Sequence, residues 1–425
     1  MSAISSHPSF AEAFRFWLKL GFISFGGPAG QIAIMHRELV EKREWIDERR
    51  FLHALNYCML LPGPEATQLA IYVGWLLHRT WGGIVAGVLF VLPSAVLLWA
   101  LSWIYMTWGR LSGVTAVFDG LKPAVLAIVA AAVVRIGRRV LKNSTMWGIA
   151  ALAFVAIYFL HAPFPVIVAL AALAGWLGDR WFPERFRVLE SHGDAPVHAT
   201  APKPKIGRAV RVLFICLVLW WGPLIMLRAW LGAEHALWRE GVFFSQAAMV
   251  TFGGAYAVLP YVAQQAVERF AWLSPGQMLD GLALAETTPG PLIMVLQFVG
   301  FVGAWQHPGS LPPFVAGTLG AVVTTWATFV PCFLWILLGA PYIERQHGNV
   351  RLTAALSAIT AAVVGVILNL AVSFGRPVLF PEGTGPNWFG LTVAIIALLG
   401  MIRWKWDVMA VVGGAALLGL LRLVF

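Results

Sequence analysis

Charge is what this sequence has least of. Charged residues make up 12% of the 425 positions, half of the roughly 25% usual in soluble domains, while 59% are hydrophobic and the mean hydropathy is +0.77. A chain of this composition cannot build a water-facing surface, which excludes a soluble enzyme. Disorder and collagen are also excluded, because 21 Trp and 27 Phe require burial and the 42 Gly follow no three-residue period. The chain is therefore predicted to lie in a membrane.

Cysteine is scarce, and the common catalytic motifs are missing. Cys58, Cys216 and Cys332 lie far apart in apolar segments without a CxxC or Cys/His cluster, so neither a disulfide framework nor a zinc site is indicated. No nucleotide-binding loop, HExxH or nucleophile elbow occurs. We therefore predict that the protein is not an enzyme and has no catalytic residue, metal or cofactor. Residues 1–10 lack the features of a cleaved secretory signal, so they are expected to belong to the mature protein.

An internal repeat runs through the chain at a spacing of 227 residues. Phe25-Gly26-Gly27 recurs as Phe252-Gly253-Gly254, Trp45 recurs as Trp272, and Pro62-Gly63-Pro64 recurs as Pro289-Gly290-Pro291. Three matches at one spacing indicate a duplicated membrane protein. We expect a first transporter repeat at 1–182, a cytoplasmic linker and connecting transmembrane helix at 183–237, and a second repeat at 238–425.

Apolar runs that can cross a ~30 Å hydrocarbon core occupy the later part of each half. The predicted spans are 81–108, 115–134, 145–160 and 163–181 in the first half, and 313–340, 352–374, 387–401 and 406–425 in the second. The Pro-, His- and charge-rich stretch 183–205 is predicted to be a linker, and one unpaired apolar run follows it at 210–230. The predicted fold is an all-α polytopic membrane protein.

Lysine and arginine are unevenly distributed between the predicted loops. If each half crosses the membrane an even number of times, the unpaired run at 210–230 inverts the second half relative to the first. With the N-terminus inside, 21 of the 30 Lys and Arg fall in cytoplasmic segments, including the predicted loop 135–142, and six fall on the other side. This bias predicts inverted repeats, a cytoplasmic N-terminus and a periplasmic C-terminus, and it explains the net charge of +10 without nucleic acid.

Each half opens with two apolar segments that Gly and Pro interrupt. Because proline donates no N–H and disfavours helix in the residue before it, each motif should end one short helix and start another, with Pro28 and Pro64 at first helical positions. Interrupted backbone is tolerated in hydrocarbon only where it is buried in protein or lines a wet cavity. The new helix N-termini would offer an anion unpaired N–H groups and partial positive charge. Re-entrant hairpins and bent spanning helices both remain open.

We predict that these breaks bind the substrate, since matched interruptions in two halves indicate a transporter site. The alternative is that Gly and Pro merely kink or pack the helices. For the nearby hydroxyl and amide side chains, back-bonds to helix carbonyls and interhelical bonds are alternatives. The predicted substrate-binding residues are Ser24, Phe25, Gly26, Gly27, Pro28, Gln31, Pro62, Gly63, Pro64, Thr67, Gln68, Thr251, Gly253, Gly254, Thr287, Thr288, Pro289, Gly290 and Pro291.

Five charged residues are candidates for a charge or coupling role, because ionisable residues inside a membrane are functional candidates by default. They are Arg15, Lys19, Glu65, Lys122 and Glu286. Arg15 and Lys19 share one helix face, and snorkelling to the cytoplasmic interface is the alternative for both. For Glu65 and Glu286 a helix cap or an ion pair is the alternative to proton coupling.

Several longer strings stand out in the first half. They are Phe25-Gly26-Gly27-Pro28 with Gln31, Val40-Glu41-x-Arg43-x-Trp45, Leu61-Pro62-Gly63-Pro64-x-Ala66-Thr67-Gln68 and Leu92-Pro93-Ser94. Together they resemble the signature of the chromate ion transporter family, and the whole chain resembles its long-chain, two-domain form. The resemblance implies a bacterial inner-membrane protein that exports chromate and confers chromate resistance, with sulfate as a structural relative of the substrate. In the second half Met294-Val295 replaces Thr67-Gln68, so the first half is expected to supply more polar contacts.

The predicted function is that of an inner-membrane secondary transporter exporting chromate, with a tetrahedral oxyanion held at the broken-helix N-termini between the repeats. An inside-negative potential already drives a dianion outward at ~2.3 kcal/mol per charge per 100 mV, so proton coupling is not required. The alternatives are a transporter or exchanger for sulfate or another oxyanion, and a membrane enzyme acting on a lipid phosphate. The expected partners are chromate, sulfate and the lipid bilayer, with a homo-oligomer left open.

Overall fold

The computed structural model describes residues 7–25, 27–188, 206–252, 254–343, 350–381 and 385–424. Within these ranges the regular secondary structure is helical, with no strand. In the described part of the chain, six helices are long and apolar enough to cross a membrane, namely Glu65–Trp108, Ser112–Val140, Phe164–Trp181, Ile206–Leu231, Pro313–Tyr342 and Thr353–Leu379. The prediction of an all-α polytopic membrane protein is confirmed.

Short, broken helices precede long ones in the first half. The helices are α1 (Phe10–Ile23), α2 (Gly27–His36), α3 (Glu48–Leu60), α4 (Glu65–Trp108), α5 (Ser112–Val140), α6 (Ser144–Tyr158), α7 (Phe164–Trp181) and the single turn α8 (Pro183–Phe186). The predicted loop at 135–142 is wrong, because α5 continues to Val140 and carries Arg135 on its surface. Arginine is a good helix former, and cations near a helix C-terminus interact favourably with the helix dipole.

The second half repeats this order after a connecting helix. The helices are α9 (Ile206–Leu231), α10 (Ala236–Val250), α11 (Ala255–Ala263), α12 (Pro275–Thr287), α13 (Val295–Gln306), α14 (Pro313–Ile343), α15 (Val350–Leu379), α16 (Trp388–Arg403) and α17 (Val408–Val424). Helix α9 corresponds to the unpaired run predicted at 210–230, and most of its side chains are exposed. Of the predicted linker, residues 189–205 lie outside the described ranges.

Rare backbone features recur at the spacing of the sequence repeat. A π-helical turn follows α2 at Arg37–Lys42, and another follows α11 at Gln264–Arg269. Glu44 and its counterpart Ala271 both have a left-handed φ, at 50° and 51°. Because π-helices and left-handed non-glycine residues are each uncommon, their coincidence at one spacing shows that the two halves share local structure.

Both broken segments of the first half fold back on themselves. The Phe16 ring of α1 contacts Trp45, with ring centroids 5.3 Å apart, although α2 lies between them in the chain. Helix α4 is itself broken at His78 and Arg79, and His78 Nε2 lies 3.0 Å from the carbonyl oxygen of Pro8, just ahead of α1. The segments α1–α2 and α3–α4 therefore enter and return at the same end of the molecule. They are hairpins, not bent spanning helices.

The second half has corresponding hairpins. His235, the N-cap residue of α10, lies 3.2 Å from the Pro308 carbonyl oxygen in the loop that follows α13. Gln306 near the end of α13 donates to Gln277 in the first turn of α12 at 3.1 Å. The start of α10, the start of α12 and the end of α13 thus lie together, as the corresponding segments do in the first half.

Candidate functional site

Four helix breaks lie together in the structure. We call them tip 1 (24–27), tip 2 (61–64), tip 3 (251–254) and tip 4 (288–291). The Gly63 N–H of tip 2 donates to the Thr251 carbonyl of tip 3 at 2.8 Å, and the Gly290 N–H of tip 4 donates to the Ser24 carbonyl of tip 1 at 2.8 Å. These reciprocal bonds join positions that correspond in the repeat. Each Pro-Gly-Pro turn is therefore bound to the Phe-Gly-Gly turn of the other half.

The glycines at the Pro-Gly-Pro turns are needed for backbone shape and for space. Gly63 has a φ of 121° and Gly290 a φ of 104°, a region that other residues rarely adopt. A Cβ on Gly63 would lie 2.9 Å from Gln68 Nε2 and 3.0 Å from Cys332 Sγ. Gly27 also has a left-handed φ, of 69°, but no atom lies within 4 Å of the position that its Cβ would take. Tip 1 therefore borders open space, whereas tip 2 is tightly packed.

Three predicted site residues and Ser94 each have a side-chain oxygen that forms no hydrogen bond in the described part of the chain. Among the described residues, no partner reaches Ser24 Oγ, Thr67 Oγ1, Gln68 Oε1 or Ser94 Oγ, and all four residues are 0–1% exposed. Buried polar atoms are normally hydrogen-bonded, and an unpaired one costs about 1–3 kcal/mol. Hydroxyl groups can donate to an oxyanion. The unpaired hydroxyls are thus suited to a polar ligand that enters between the tips.

Other predicted site residues form hydrogen bonds within the protein. The hydroxyls of Thr251, Thr287 and Thr288 each donate to a carbonyl of the preceding helical turn, at 2.6, 2.8 and 3.2 Å. This is the back-bonding alternative that the sequence left open. Gln31 donates to the Gly290 carbonyl of tip 4, and Gln68 Nε2 donates to the Pro62 carbonyl of tip 2 at 2.8 Å. The two amides therefore hold the turns in place.

Pro28 and Pro64 each lie one residue away from the first helical position at which they were predicted. Pro28 is the second residue of α2, and Pro64 has extended dihedral angles and precedes α4 as its N-cap residue. Helix α11 begins at Ala255, after Gly254 with a left-handed φ of 92°. After Pro291 a short 3₁₀ turn leads into α13. Gly26 and Gly253 lie outside the described residues.

The tips of the two halves differ in exposure. In the first half Phe25, Gly27, Pro28 and Pro62 are partly exposed, whereas Pro289, Gly290 and Pro291 in the second half are buried. Phe252 of tip 3 and Thr287, beside tip 4, are the second-half exceptions, and both are partly exposed. Tip 1 is therefore the more accessible part of the site, and tip 4 is the more buried part.

Two candidate carboxylates, Glu65 and Glu286, each lie close to a residue in or next to tip 3. A Cβ on Gly254 would lie 4.0 Å from Glu65 Oε1, and the Tyr256 hydroxyl donates to Glu286 Oε1 at 2.6 Å. Arg139 is an electrostatic partner of Glu65, and Arg135 is an electrostatic partner of Tyr256 and Glu286. Sequence reasoning missed both arginines because it placed them in a loop. It also left out Tyr256, and it left out Ser94 although Ser94 stands in one of the strings that carry the family resemblance.

The remaining candidate cations lie away from the tips. Arg15 and Lys19 are exposed on α1, and Lys19 is an electrostatic partner of Glu38 in the segment that follows α2. Lys42 donates to the Glu38 carboxylate and holds its pKa below the ordinary value. Lys122 lies 3.2 Å from Asp119 and 3.8 Å from Asp280. None of the three cations is placed beside a tip.

Comparison with known proteins agrees with this architecture. A family model described as Chromate transporter matches residues 11–176 and again residues 238–420. A probable chromate transport protein of Synechococcus elongatus is 30% identical over 410 residues, covering 95% of this chain and 93% of the relative. Chromate transport proteins of Cupriavidus metallidurans and Pseudomonas aeruginosa are each 31% identical, covering 95% and 98% of this chain and 91% and 93% of the relatives.

No solved structure matches the chain. Within the described residues, no group of three or more His, Cys, Asp or Glu side chains is positioned to hold a metal ion. The family matches cover both halves, and the relatives match over nearly their whole length. The chain belongs to the chromate transporter family, a family of membrane transport proteins.

Proposed function

We propose that this chain is a secondary transporter that exports chromate across the bacterial inner membrane. Two of the relatives above are named as chromate transport proteins and the third as a probable one, and each aligns over at least 95% of this chain. The anion would bind between the four tips, against the helix N-termini of both halves. Sulfate, a tetrahedral dianion of the same charge, would compete for this site.

One observation carries the proposal for the binding site. The side chains of Ser24, Thr67, Gln68 and Ser94 are buried at the meeting point of the tips, and each leaves a polar atom without a partner in the described part of the chain. A tetrahedral oxyanion accepts hydrogen bonds in several directions and so suits converging hydroxyls. Backbone N–H groups at the starts of α2 and α11 would add the partial positive charge of helix N-termini.

We further propose that the two halves are inverted in the membrane, about a pseudo-twofold axis through the tips. The reciprocal bonds from Gly63 to Thr251 and from Gly290 to Ser24 are what such an axis would produce. Among the described residues, one helix of membrane-spanning length, α9, separates two halves with matched hairpins. The distribution of Lys and Arg would then place the N-terminus and the α1–α2 hairpin on the cytoplasmic side.

The more accessible side of the site would face the cytoplasm in this arrangement, since tips 1 and 2 belong to hairpins that start from that side. Chromate would enter from the cytoplasm and leave on the other side after the tips of the second half open. The inside-negative membrane potential supplies ~4.6 kcal/mol for a dianion at 100 mV, so efflux would proceed without a coupling ion.

Inside-out membrane vesicles test this function. The expected result is chromate uptake into vesicles that contain the protein, faster when the lumen is made electrically positive and slower when sulfate is added. Vesicles from cells without the protein provide the control. Uptake equal to this control, or uptake only into right-side-out vesicles, would contradict export. Sulfate transport without chromate transport would identify sulfate as the substrate.

A further inference from the structure

A polar cavity of about 320 Å³ lies between helices of the two halves. Asp119 and Lys122 of α5 line it, together with Gly276 in the first turn of α12, Asn387 ahead of α16 and Arg422 near the end of α17. This volume is at the lower end of the range of small-ligand sites. None of the described residues that line the cavity belongs to a tip, so it is separate from the site proposed for the oxyanion.

The cavity lies among the ends of helices. Helices α12 and α16 begin at it, α15 and α17 end at it, and α5 passes it within its first three turns. A helix of 29 residues such as α5 is about 43 Å long, which exceeds the ~30 Å hydrocarbon core, so its first turns extend toward the water. A cavity at this level of the helices is expected at the depth of the lipid headgroups.

The charges in and beside the cavity balance. Lys122 Nζ lies 3.2 Å from Asp119 Oδ1 and 3.8 Å from Asp280 Oδ1 of α12. Arg422 forms no ion pair with a described carboxylate, and its guanidinium carbon lies 4.9 Å from the centroid of the Phe389 ring. The two cations and two carboxylates sum to zero when all are ionised. A dianion would disturb this balance, whereas a zwitterion would keep it.

The first turn of α12 adds a backbone donor. Pro275 has no N–H, and the Ser274 hydroxyl accepts the Gln277 N–H at 3.2 Å. Gly276 lines the cavity, and its N–H has no partner among the described residues. With the partial positive charge of a helix N-terminus, this N–H suits a phosphate oxygen. The half-exposed Asp119 carboxylate suits a cationic group instead.

We propose that this cavity binds the headgroup of an aminophospholipid, with the phosphate at Arg422 and the Gly276 N–H, and the ammonium group at Asp119. Basic pockets between membrane helices bind lipid headgroups, and arginine pairs well with phosphate. The inference is independent of the proposed transport and adds a ligand site outside the tips. The bound headgroup joins α5 of the first half to α12, the helix that leads into tip 4.

Native mass spectrometry of the purified full-length protein tests the site. Three lipids with the same acyl chains are added in turn, namely phosphatidylethanolamine, phosphatidylcholine and phosphatidylglycerol. The wild type should bind phosphatidylethanolamine about tenfold more tightly than the other two. The trimethylated ammonium group of phosphatidylcholine donates no hydrogen bond to Asp119, and the headgroup of phosphatidylglycerol carries no cation.

Two substitutions separate the two ends of the headgroup. Arg422→Gln should bind phosphatidylethanolamine about tenfold more weakly, because a charged donor to the phosphate is lost. Asp119→Asn should bind phosphatidylethanolamine and phosphatidylcholine equally, because the negative charge that selects the ammonium group is gone. The matched control is Arg376→Gln, which removes an exposed arginine outside the cavity lining, in the last turn of α15, and should bind like the wild type.

The outcomes are distinguishable. Equal affinity of the wild type for the three lipids overturns the inference, and so does equal weakening in Arg422→Gln and Arg376→Gln. Inorganic phosphate that displaces phosphatidylethanolamine at equal concentration would make the ligand a soluble anion and overturn the lipid site. If Arg422→Gln fails to accumulate, Asp119→Asn decides, and a retained preference for phosphatidylethanolamine in that variant overturns the inference. Chromate uptake into vesicles tests the proposed function separately.

Discussion

Ser94 of α4 lies directly against Gly290 of tip 4, so closely that a Cβ on Gly290 would come within 2.5 Å of the Ser94 Cβ. In the other half Cys332 of α14 stands in the same relation to Gly63. Ser94 and Cys332 each follow a proline inside a long helix, Pro93 and Pro331. Each Pro-Gly-Pro turn therefore rests on the long helix of the opposite half, and neither half can rearrange its turn without pressing on the other.

Replacing Gly63 or Gly290 with alanine should destabilise the protein. Both positions have a left-handed φ and no room for a Cβ, so we expect a loss of about 1–3 kcal/mol and a lower midpoint of thermal unfolding in detergent. Gly148→Ala is the matched control, because nothing lies within 4 Å of its Cβ position. Unfolding midpoints at the wild-type value in the Gly63 and Gly290 variants would contradict the tight packing of the turns.

Ser94→Ala should separate ligand binding from stability. The Ser94 Oγ has no partner in the described part of the chain, so its removal should leave the unfolding midpoint unchanged or raise it slightly. Chromate affinity should fall about tenfold, because a hydroxyl donor to an anion is lost. Ser102→Ala on the same helix is the control, since the Ser102 Oγ already donates to the Leu98 carbonyl at 2.6 Å. Unchanged chromate affinity in Ser94→Ala would remove this hydroxyl from the site.

The tips could be located from sequence because the repeat marks them twice. Glycine and proline at matched positions predict a helix break without any knowledge of the tertiary contacts, because their effects on the backbone are local. The hydrogen bond from Gly63 to Thr251 was not predictable in the same way, because it joins residues far apart in the chain. The same limit applies to Ser94, whose place at tip 4 depends on how the halves pack against each other.

Arg135 was missed for a physical reason. An apolar run that ends in several charges predicts the end of a membrane span, so the arginines were placed in a loop. The helix instead continues for another turn and a half, to Val140, and its arginines Arg135, Arg138 and Arg139 are exposed. The hairpin form of the broken segments was likewise left open by charge counting. Contacts such as the one between His78 and Pro8 show that these segments are hairpins.

Labelling of single cysteines at Glu44 and Ala271 should test the proposed inversion. Both residues are exposed, both have a left-handed φ, and they occupy corresponding positions in the repeat. Glu44→Cys should react with a membrane-impermeant maleimide only in inside-out vesicles, and Ala271→Cys only in right-side-out vesicles. The wild type provides the background, since its three cysteines are buried. Reaction of both variants from the same side would contradict inverted repeats.

Arg15→Gln and Lys19→Gln should leave chromate affinity unchanged. Both side chains are exposed on α1, and Lys19 is an electrostatic partner of Glu38, outside the tips. Their positive charge favours snorkelling to the cytoplasmic interface, so membrane insertion is the property that each variant would affect. Binding measurements on the purified variants, with Ser94→Ala measured in parallel, check this expectation. Tenfold weaker chromate binding by either variant would show that the replaced cation takes part in substrate binding.

Lys122→Gln should lower stability without changing chromate affinity. Lys122 Nζ lies 3.8 Å from Asp280 Oδ1, while Asp280 Oδ2 accepts the Tyr105 hydroxyl bond at 2.8 Å. Removing the cation leaves a carboxylate that is 5% exposed without a counter-charge. The cost should be about 1–3 kcal/mol, less than for a fully buried pair because the Lys122 side chain is 23% exposed. Thermal unfolding in detergent measures it.

The double variant Lys122→Gln with Asp280→Asn is the control for this charge pair. The amide keeps an oxygen for the Tyr105 hydroxyl and removes the uncompensated charge, so the unfolding midpoint should return most of the way to the wild-type value. Chromate affinity should equal that of the wild type in both variants, because Lys122 and Asp280 do not contact a tip. Weaker chromate binding at an unchanged midpoint would instead show that Lys122 acts on the anion, as the sequence allowed.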